Sequence, residues 1–404
     1  GQVVGTRGKA SSEAQNVSTV VTGACVSPHV AWSVDLGKCV DASPLLVWTH
    51  SSCSDAAEEA RVTCLCASHA GELAAIRLAN GEVVWRTQLP SRIEASCCVV
   101  GHASSADAVV LVGGHDGALH ALRLMDGERL WSRICHGAVK AAATALPEHF
   151  GPSGVGEVAL CADFGGVLTA LIARSGRILW EDAVASDGPI FAAPTVHSES
   201  IYVAHMRGAV VCWRPPAEAT SGDAGFSLTL AWRFVADADR GGRAAPVFSA
   251  PVVVDQAASG GGCPAMVVFG CTNGRLYALA ASTGTRLWTF EMGGAVFATP
   301  CVVGAAIYAT SDGGALCCVD ASDGSLLWSQ PGGFRGHASP CACAGLVVAA
   351  DVAGKICWFA AIDGQPLGVH ELPAPVFSSP TTHAGRCVVG CRDDALWCLE
   401  FEKV

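Results

Sequence analysis

From about residue 29 onward the chain alternates short apolar runs with turns rich in Gly, Asp and Asn. Runs such as AVVLVGG (108–114) and MVVFGC (266–271) are too short for helices, and helical periodicity is absent throughout. β-strands are the expected element. Turn signals separate them: HDG (115–117), TNG (272–274) and DGG (312–314), then a second set at Asn80-Gly81, Asp126-Gly127 and Asp323-Gly324. Two-residue hairpin turns need a positive φ, which Gly tolerates.

The pattern recurs. An eleven-residue stretch, small-first, Gly at the seventh place and Trp at the end, occurs as AIRLANGEVVW (75–85), ALRLMDGERLW (121–131), ALIARSGRILW (170–180), ALAASTGTRLW (278–288) and CVDASDGSLLW (318–328). Ahead of each lies a second signal, apolar-x-[AS]-[AST]-Pro: VDASP (40–44), IFAAP (190–194), VFSAP (247–251), VFATP (296–300) and VFSSP (376–380). GHASP (336–340) keeps its last three letters, and IEASC (93–97) and VKAAA (139–143) are degenerate copies in step with the rest. Their spacings of 53, 46, 51, 57, 49, 40 and 40 residues give eight units beginning near 40, 93, 139, 190, 247, 296, 336 and 376. Four short antiparallel strands per unit of this length predict an all-β, eight-bladed propeller.

The last unit stops before its fourth strand, whereas the segment 28–37 carries Trp32 with no preceding three strands. It is expected to supply the missing outer strand, closing the propeller 28–404 and leaving no unpaired edge at the seam. Trp32, Trp85, Trp131, Trp180, Trp232, Trp288 and Trp328 read as wedges docking blade against blade. Departures fall in the seventh unit, read with Leu367 in the Trp place, in the eighth, with Asp394 for a hairpin Gly, and in the fourth, where an insertion at 214–228 replaces a turn. That insertion and the segments 148–156, 237–245 and 255–263 read as surface loops, and residues 1–27 as a tether without repeat.

Charge narrows the partners. Lys and Arg number 25 against 36 Asp and Glu, a net charge of −11, which argues against nucleic acid and anionic membranes. No apolar run is long enough for a membrane-spanning helix. The 21 cysteines sit mostly inside apolar strand runs and read as reduced, buried thiols in a reducing compartment, with a cytoplasmic location expected. Neighbours Cys97–Cys98 and Cys317–Cys318 are expected on opposite strand faces.

The eleven-residue stretch resembles the tryptophan-docking repeat of quinoprotein (pyrroloquinoline-quinone, PQQ) dehydrogenases. DLGKCVDASPLLV (35–47), SRIEAS (91–96), AVKAAAT (138–144), ELPAPVFSSP (371–380) and GCRDDALWCLE (390–400) further resemble the C-terminal PQQ-like propeller of the β-alanine-activating enzyme family. That family is also called acyl-CoA synthetase family member 4, or aminoadipate-semialdehyde dehydrogenase. The resemblance implies an ATP-dependent acid-activating ligase, with upstream adenylation and phosphopantetheine carrier domains as partners on the same polypeptide and 1–27 as the tether from the carrier. No adenylation loop and no carrier signature occurs in this chain. No catalytic, cofactor-binding or metal-binding residue is therefore assigned, and the chain alone is expected to be a non-catalytic docking module. PQQ with calcium, as an oxidoreductase, and a pure protein–protein scaffold are the alternatives.

One constellation invites a functional reading. The second place of the eight motifs reads Asp41, Glu94, Lys140, Phe191, Phe248, Phe297, His337 and Phe377. If first strands line the channel, these residues form one ring, polar on one arc and aromatic on the other. Such a ring either packs the channel or binds a small amphiphilic group such as an acyl or aminoacyl chain end.

Overall fold

The computed structural model describes residues 3–4, 26–48, 62–150, 156–183, 188–216, 226–239, 241–255, 265–331 and 334–403. Most of the tether and parts of the loops read at 148–156, 214–228, 237–245 and 255–263 lie outside the described residues. Eight antiparallel sheets follow one another in chain order. Blade 1 runs outward from the channel as Leu45–Trp48, Val62–Ala67, Glu72–Arg77 and Val83–Gln88. Val3–Val4 adds a fifth, parallel strand beside Leu46 and Val47. Apart from the single turn Glu148–Phe150, no helix occurs among the described residues, and none is long and apolar enough to cross a membrane.

The ring closes as the spacing predicts. Val26–Asp35 pairs antiparallel with Ala395–Lys403 and becomes the outer strand of blade 8, its Trp32 opposite Cys398. In each blade the ladder between third and outer strand shifts register at the residue before the Trp place, as between Arg129 and Trp131 or between Val30 and Trp32. A bulge puts two residues opposite one and sharpens the local twist. It explains why the tenth residue of the repeat is apolar yet exposed, as Leu130, Leu287 and Leu327 are. The first and last residues of the eleven face each other across the ladder, Ala75 opposite Trp85 and Cys318 opposite Trp328, so the first must be small.

The repeat Gly is more than a turn residue. Trp85 Nε1 donates to the Leu124 carbonyl at 3.0 Å, and the ring lies over Gly127, which begins the outer hairpin of the next blade. A Cβ on Gly127 would sit 2.4 Å from the indole, and its φ is +72°. The same pairing joins Trp32 to Leu78 and Gly81, Trp131 to Ala173 and Gly176, Trp232 to Ala281 and Gly284, Trp288 to Ala321 and Gly324, and Trp328 to Ala361 and Gly364. Each Trp is thus seated on the glycine of the following blade. Trp32 carries the device across the seam.

Two seams depart from it. Blade 4 has the 214–228 segment where the seat turn would be, and Trp180 meets Trp213 edge-on at 5.4 Å instead. In blade 7 the sequence reading needs correcting: the ladder puts Gly368, not Leu367, in the Trp place. Opposite it stands Trp358, where other blades carry a small residue, so the bulky ring has moved one strand inward. Trp358 is fully buried, 5.7 Å from Phe401 of blade 8. Leu367 is the bulge residue. Asp394 does hold the left-handed conformation expected of a hairpin Gly, with φ +74°.

Small thiols fill the space between sheets. Cys97 and Cys98 enter different core clusters, as do Cys317 and Cys318, so each pair faces opposite ways. None of the eighteen described cysteines forms a disulfide, and burial pushes the thiols of Cys66 and Cys98 up to about 12.

Two outcomes follow for stability. Gly324→Ala, with φ +74° and a Cβ 2.6 Å from Trp288, should cost well over the roughly 1–2 kcal/mol of left-handed strain alone. Gly304→Ala, with φ +60° and open space around it, should cost only the strain. Equal losses in denaturant melts would remove the seat. Deleting residues 26–35 should abolish cooperative melting or solubility, because it exposes the edge of Ala395–Lys403 and removes Trp32; a truncation that melts like the parent would refute the shared blade.

Candidate functional site

The five-residue motif precedes the inner strand rather than forming it. In blade 1 it spans 40–44 and the strand starts at Leu45; in blade 6 it spans 296–300 and the strand is Cys301–Val303. The ring positions therefore stand just ahead of the first strands, not on them as expected. The segment is nonetheless extended, because its first, third and fifth places are buried while the second and fourth face the channel. Pro at the fifth place suits such a segment, since it biases the preceding residue away from helical dihedrals.

Two side-chain rings result. The fourth places form a hydrogen-bonded hoop: Ala250 N donates to Thr299 Oγ1 at 3.0 Å, Thr299 N to Ser339 Oγ at 3.0 Å, and Ser339 N to Ser379 Oγ at 3.0 Å. It continues across the seam as Ser379 N to Ser43 Oγ at 3.0 Å and Ser43 N to Ser96 Oγ at 3.1 Å. Ala142, Ala193 and Ala250 carry no hydroxyl, so the hoop spans blades 5 to 2. That is why the fourth place admits Ala, Ser or Thr.

The second places meet at the channel mouth. Asp41, Glu94, Lys140, Phe191, Phe248, Phe297, His337 and Phe377 all line one cavity of about 420 Å³. Phe191, Phe248 and Phe297 stand in a row with ring centroids 5.2 and 5.4 Å apart, and His337 stacks on Phe297 at 4.5 Å. The aromatic arc therefore extends one blade into the polar residues.

A further ring, not anticipated from the sequence, surrounds this one. In each blade the residue two before the second-to-third-strand turn glycine, or Asp394, donates its N–H to a carbonyl two residues before the ring position. His69 N reaches Cys39, His115 N reaches Arg92, Asp312 N reaches Ala295 and Arg392 N reaches Pro375. These turn residues hold the charges of the mouth. Arg392 grips Asp41 with Nε at 2.9 Å and Nη2 at 2.7 Å while lying 3.8 Å over the Phe377 ring. His69 Nε2 is 3.2 Å from Asp41 and 3.8 Å from Glu94. Glu94 also meets Arg92, His115 at 2.9 Å and Lys140 at 3.5 Å. Asp312 takes Arg335 and His337 at 2.7 and 3.1 Å. Lys140 is thus not free in the channel: it faces Glu94, with Phe164 beneath it at 4.9 Å.

Burial sets the protonation. It pushes His69 below the ordinary imidazole range against the pull of Asp41, and lowers His115 with help from Lys140 and Arg92. Lys140 is lowered by burial and by Arg92. Burial works to raise Asp312, but hydrogen bonds from His337 and Arg335 outweigh it and hold the carboxyl low. Among the charged side chains that line the cavity, Lys140 and Arg392 balance Asp41 and Glu94. Asp41, His69 and Glu94 each offer a donor atom, all within 4.8 Å of one another.

A quinone fits this lining poorly. The quinoprotein site needs a Trp floor, an Asn among its calcium ligands and, in many members, a cover of adjacent cysteines. The lining holds neither Trp nor Asn, and both adjacent cysteine pairs are buried between blades.

Comparison with known proteins agrees with this architecture. Residues 36–401 match the family described as the β-propeller of the beta-alanine-activating enzyme. The mouse beta-alanine-activating enzyme is 39% identical over 85 residues, which cover 21% of this chain and 7% of that protein; the human one is 39% identical over 71 residues, covering 18% and 6%. The aligned stretches thus span a small part of those relatives. Among solved structures, BamB from Moraxella catarrhalis superposes with a TM-score of 0.71 at 15% identity, over 93% of this chain and 100% of that one. The quinohemoprotein alcohol dehydrogenase from Comamonas testosteroni gives 0.68 at 12% identity, over 92% and 76%. At such identities the likeness is one of fold. By the match over nearly its whole propeller, the chain belongs to the beta-alanine-activating enzyme β-propeller family.

Proposed function

We propose that this propeller is a non-catalytic docking module of a multidomain acid-activating enzyme. Its channel mouth receives the end of an acyl or aminoacyl chain presented by a phosphopantetheine carrier domain on the same polypeptide. The observation that carries the reading is the two-faced mouth: one cavity of about 420 Å³ with phenylalanines on one arc and ion-paired side chains on the other. Its volume suits a small molecule or chain end. A carrier arm delivers such an end on a long flexible stem, and a mouth open to the face of the propeller accepts it without burying the carrier. Membership of the family supplies the context of activated acids. The free thiols support a reducing compartment, and we place the protein in the cytoplasm.

No residue of the mouth is assigned a bond-making role. The histidines and carboxylates are tied to one another across adjacent blades, which holds the ring residues in fixed positions and leaves the cavity shaped before a ligand arrives. Such preorganisation lowers the ordering cost of binding.

Lys140 and Phe297 divide the contributions. Lys140→Ala should weaken a succinyl-pantetheine probe, whose free end is a carboxylate, by about 1.5–3 kcal/mol and spare butyryl-pantetheine. Phe297→Ala should weaken both probes. Calorimetric titration, with pull-down of the carrier domain loaded and unloaded, reads both effects. Unchanged affinity for both probes in both variants would leave the ring as packing alone.

A further inference from the structure

We infer that Asp41, His69 and Glu94 form a site for a divalent metal ion of the zinc class, with a coordination position open to the channel. This goes beyond the docking reading and does not depend on it. Asp41 Oδ2 and His69 Nε2 lie 3.2 Å apart, and His69 Nε2 and Glu94 Oε1 lie 3.8 Å apart. Donors on a tetrahedral ion with bonds of about 2.0–2.2 Å are separated by roughly 3.3–3.6 Å, a range that the two His69 distances bracket, and all three atoms lie within 4.8 Å of one another.

A second observation points the same way. His69 Nε2 is shielded from solvent and makes no hydrogen bond, although two carboxylates are within reach. Its nearest carboxylate oxygen is at hydrogen-bond distance but off the line a hydrogen bond needs. Buried polar atoms are almost always partnered, and an orphan nitrogen between two carboxylates leaves a place that a cation can fill. One imidazole with two carboxylates suits zinc, manganese or cobalt better than calcium, which prefers an all-oxygen cage.

The surroundings match those of a metal ligand set. Arg392 binds both oxygens of Asp41, and Lys140 meets the second oxygen of Glu94 at 3.5 Å. Such outer partners orient ligating carboxylates. The first ligand position follows from the motif and the second from the turn: His69 is fixed by its N–H to the Cys39 carbonyl, two residues before Asp41. Arg92 is the competitor. It shares Glu94 Oε1 with the ion, and with its side chain 47% exposed it can turn to solvent.

Cobalt(II) is the probe, because thiolate ligation would announce itself by intense near-ultraviolet charge-transfer absorption that oxygen and nitrogen ligands do not give. The parent should bind one equivalent without that absorption and melt at a higher temperature with the ion present. His69→Ala and the isosteric Glu94→Gln should each lose at least tenfold in affinity, and Arg92→Ala should tighten binding. A parent that takes up no more cobalt than His69→Ala, or an Arg92→Ala variant that binds more weakly, overturns the site. Neither result touches the pantetheine comparison of Lys140→Ala and Phe297→Ala.

Discussion

The indole of one blade, hydrogen-bonded to a carbonyl of the next and lying over its turn glycine, is the contact on which the ring depends. Sheets packed face to face by apolar side chains alone could slide or tilt. A directional N–H bond at 2.9–3.0 Å, repeated at six seams, fixes both angle and offset. The donor is a group that would be costly to bury unpaired, and the acceptor is a turn carbonyl outside the ladder. Blade 7 keeps the bulk of an indole at its seam by another route, through Trp358, and blade 3 trades the seat for an edge-on pair of tryptophans.

Fixing the blades fixes the mouth. The motif segments hang between neighbouring sheets, tied by the Ser/Thr hoop and by the N–H of each turn residue. Because backbone hydrogen bonds set these positions in every blade, the side chains at the second motif place and in the turns can differ from blade to blade. The second motif place is charged in blades 1, 2 and 3 and aromatic in blades 4, 5 and 6 without altering the ring. An eight-fold scaffold thereby presents a mouth with no eight-fold symmetry, and that asymmetry is what a ligand would read.

The sequence exposes local periodicities well and contacts between repeats poorly. Strand count, blade count and closure through Trp32 all follow from spacing, because each is a statement about order along the chain. The Gly and Trp of the repeat were visible too, but as a turn requirement and a wedge. Their meeting is between the Trp of one unit and the Gly of the next, which a within-repeat alignment cannot display. In blade 7, Gly364 in the seventh place puts the eleventh at Gly368, and the apolar bulge residue Leu367 beside it imitates the missing Trp. At the mouth, the ring of Asp41 to Phe377 was legible from the motif. The partners His69, His115, Asp312 and Arg392 were not, though a signal existed: each stands two residues before the turn glycine or Asp394. A turn sequence displays its backbone requirement, whereas the partner of a turn side chain lies on another blade.

Hydrogen exchange of the tryptophan indoles tests the seat most directly, since each Nε1–H gives its own NMR signal. The account predicts that the indoles of Trp32, Trp85, Trp131, Trp232, Trp288 and Trp328 exchange only through cooperative opening, with closely similar protection, while that of Trp180, which lacks a seat, exchanges much faster. Six indoles exchanging as fast as Trp180 would contradict it.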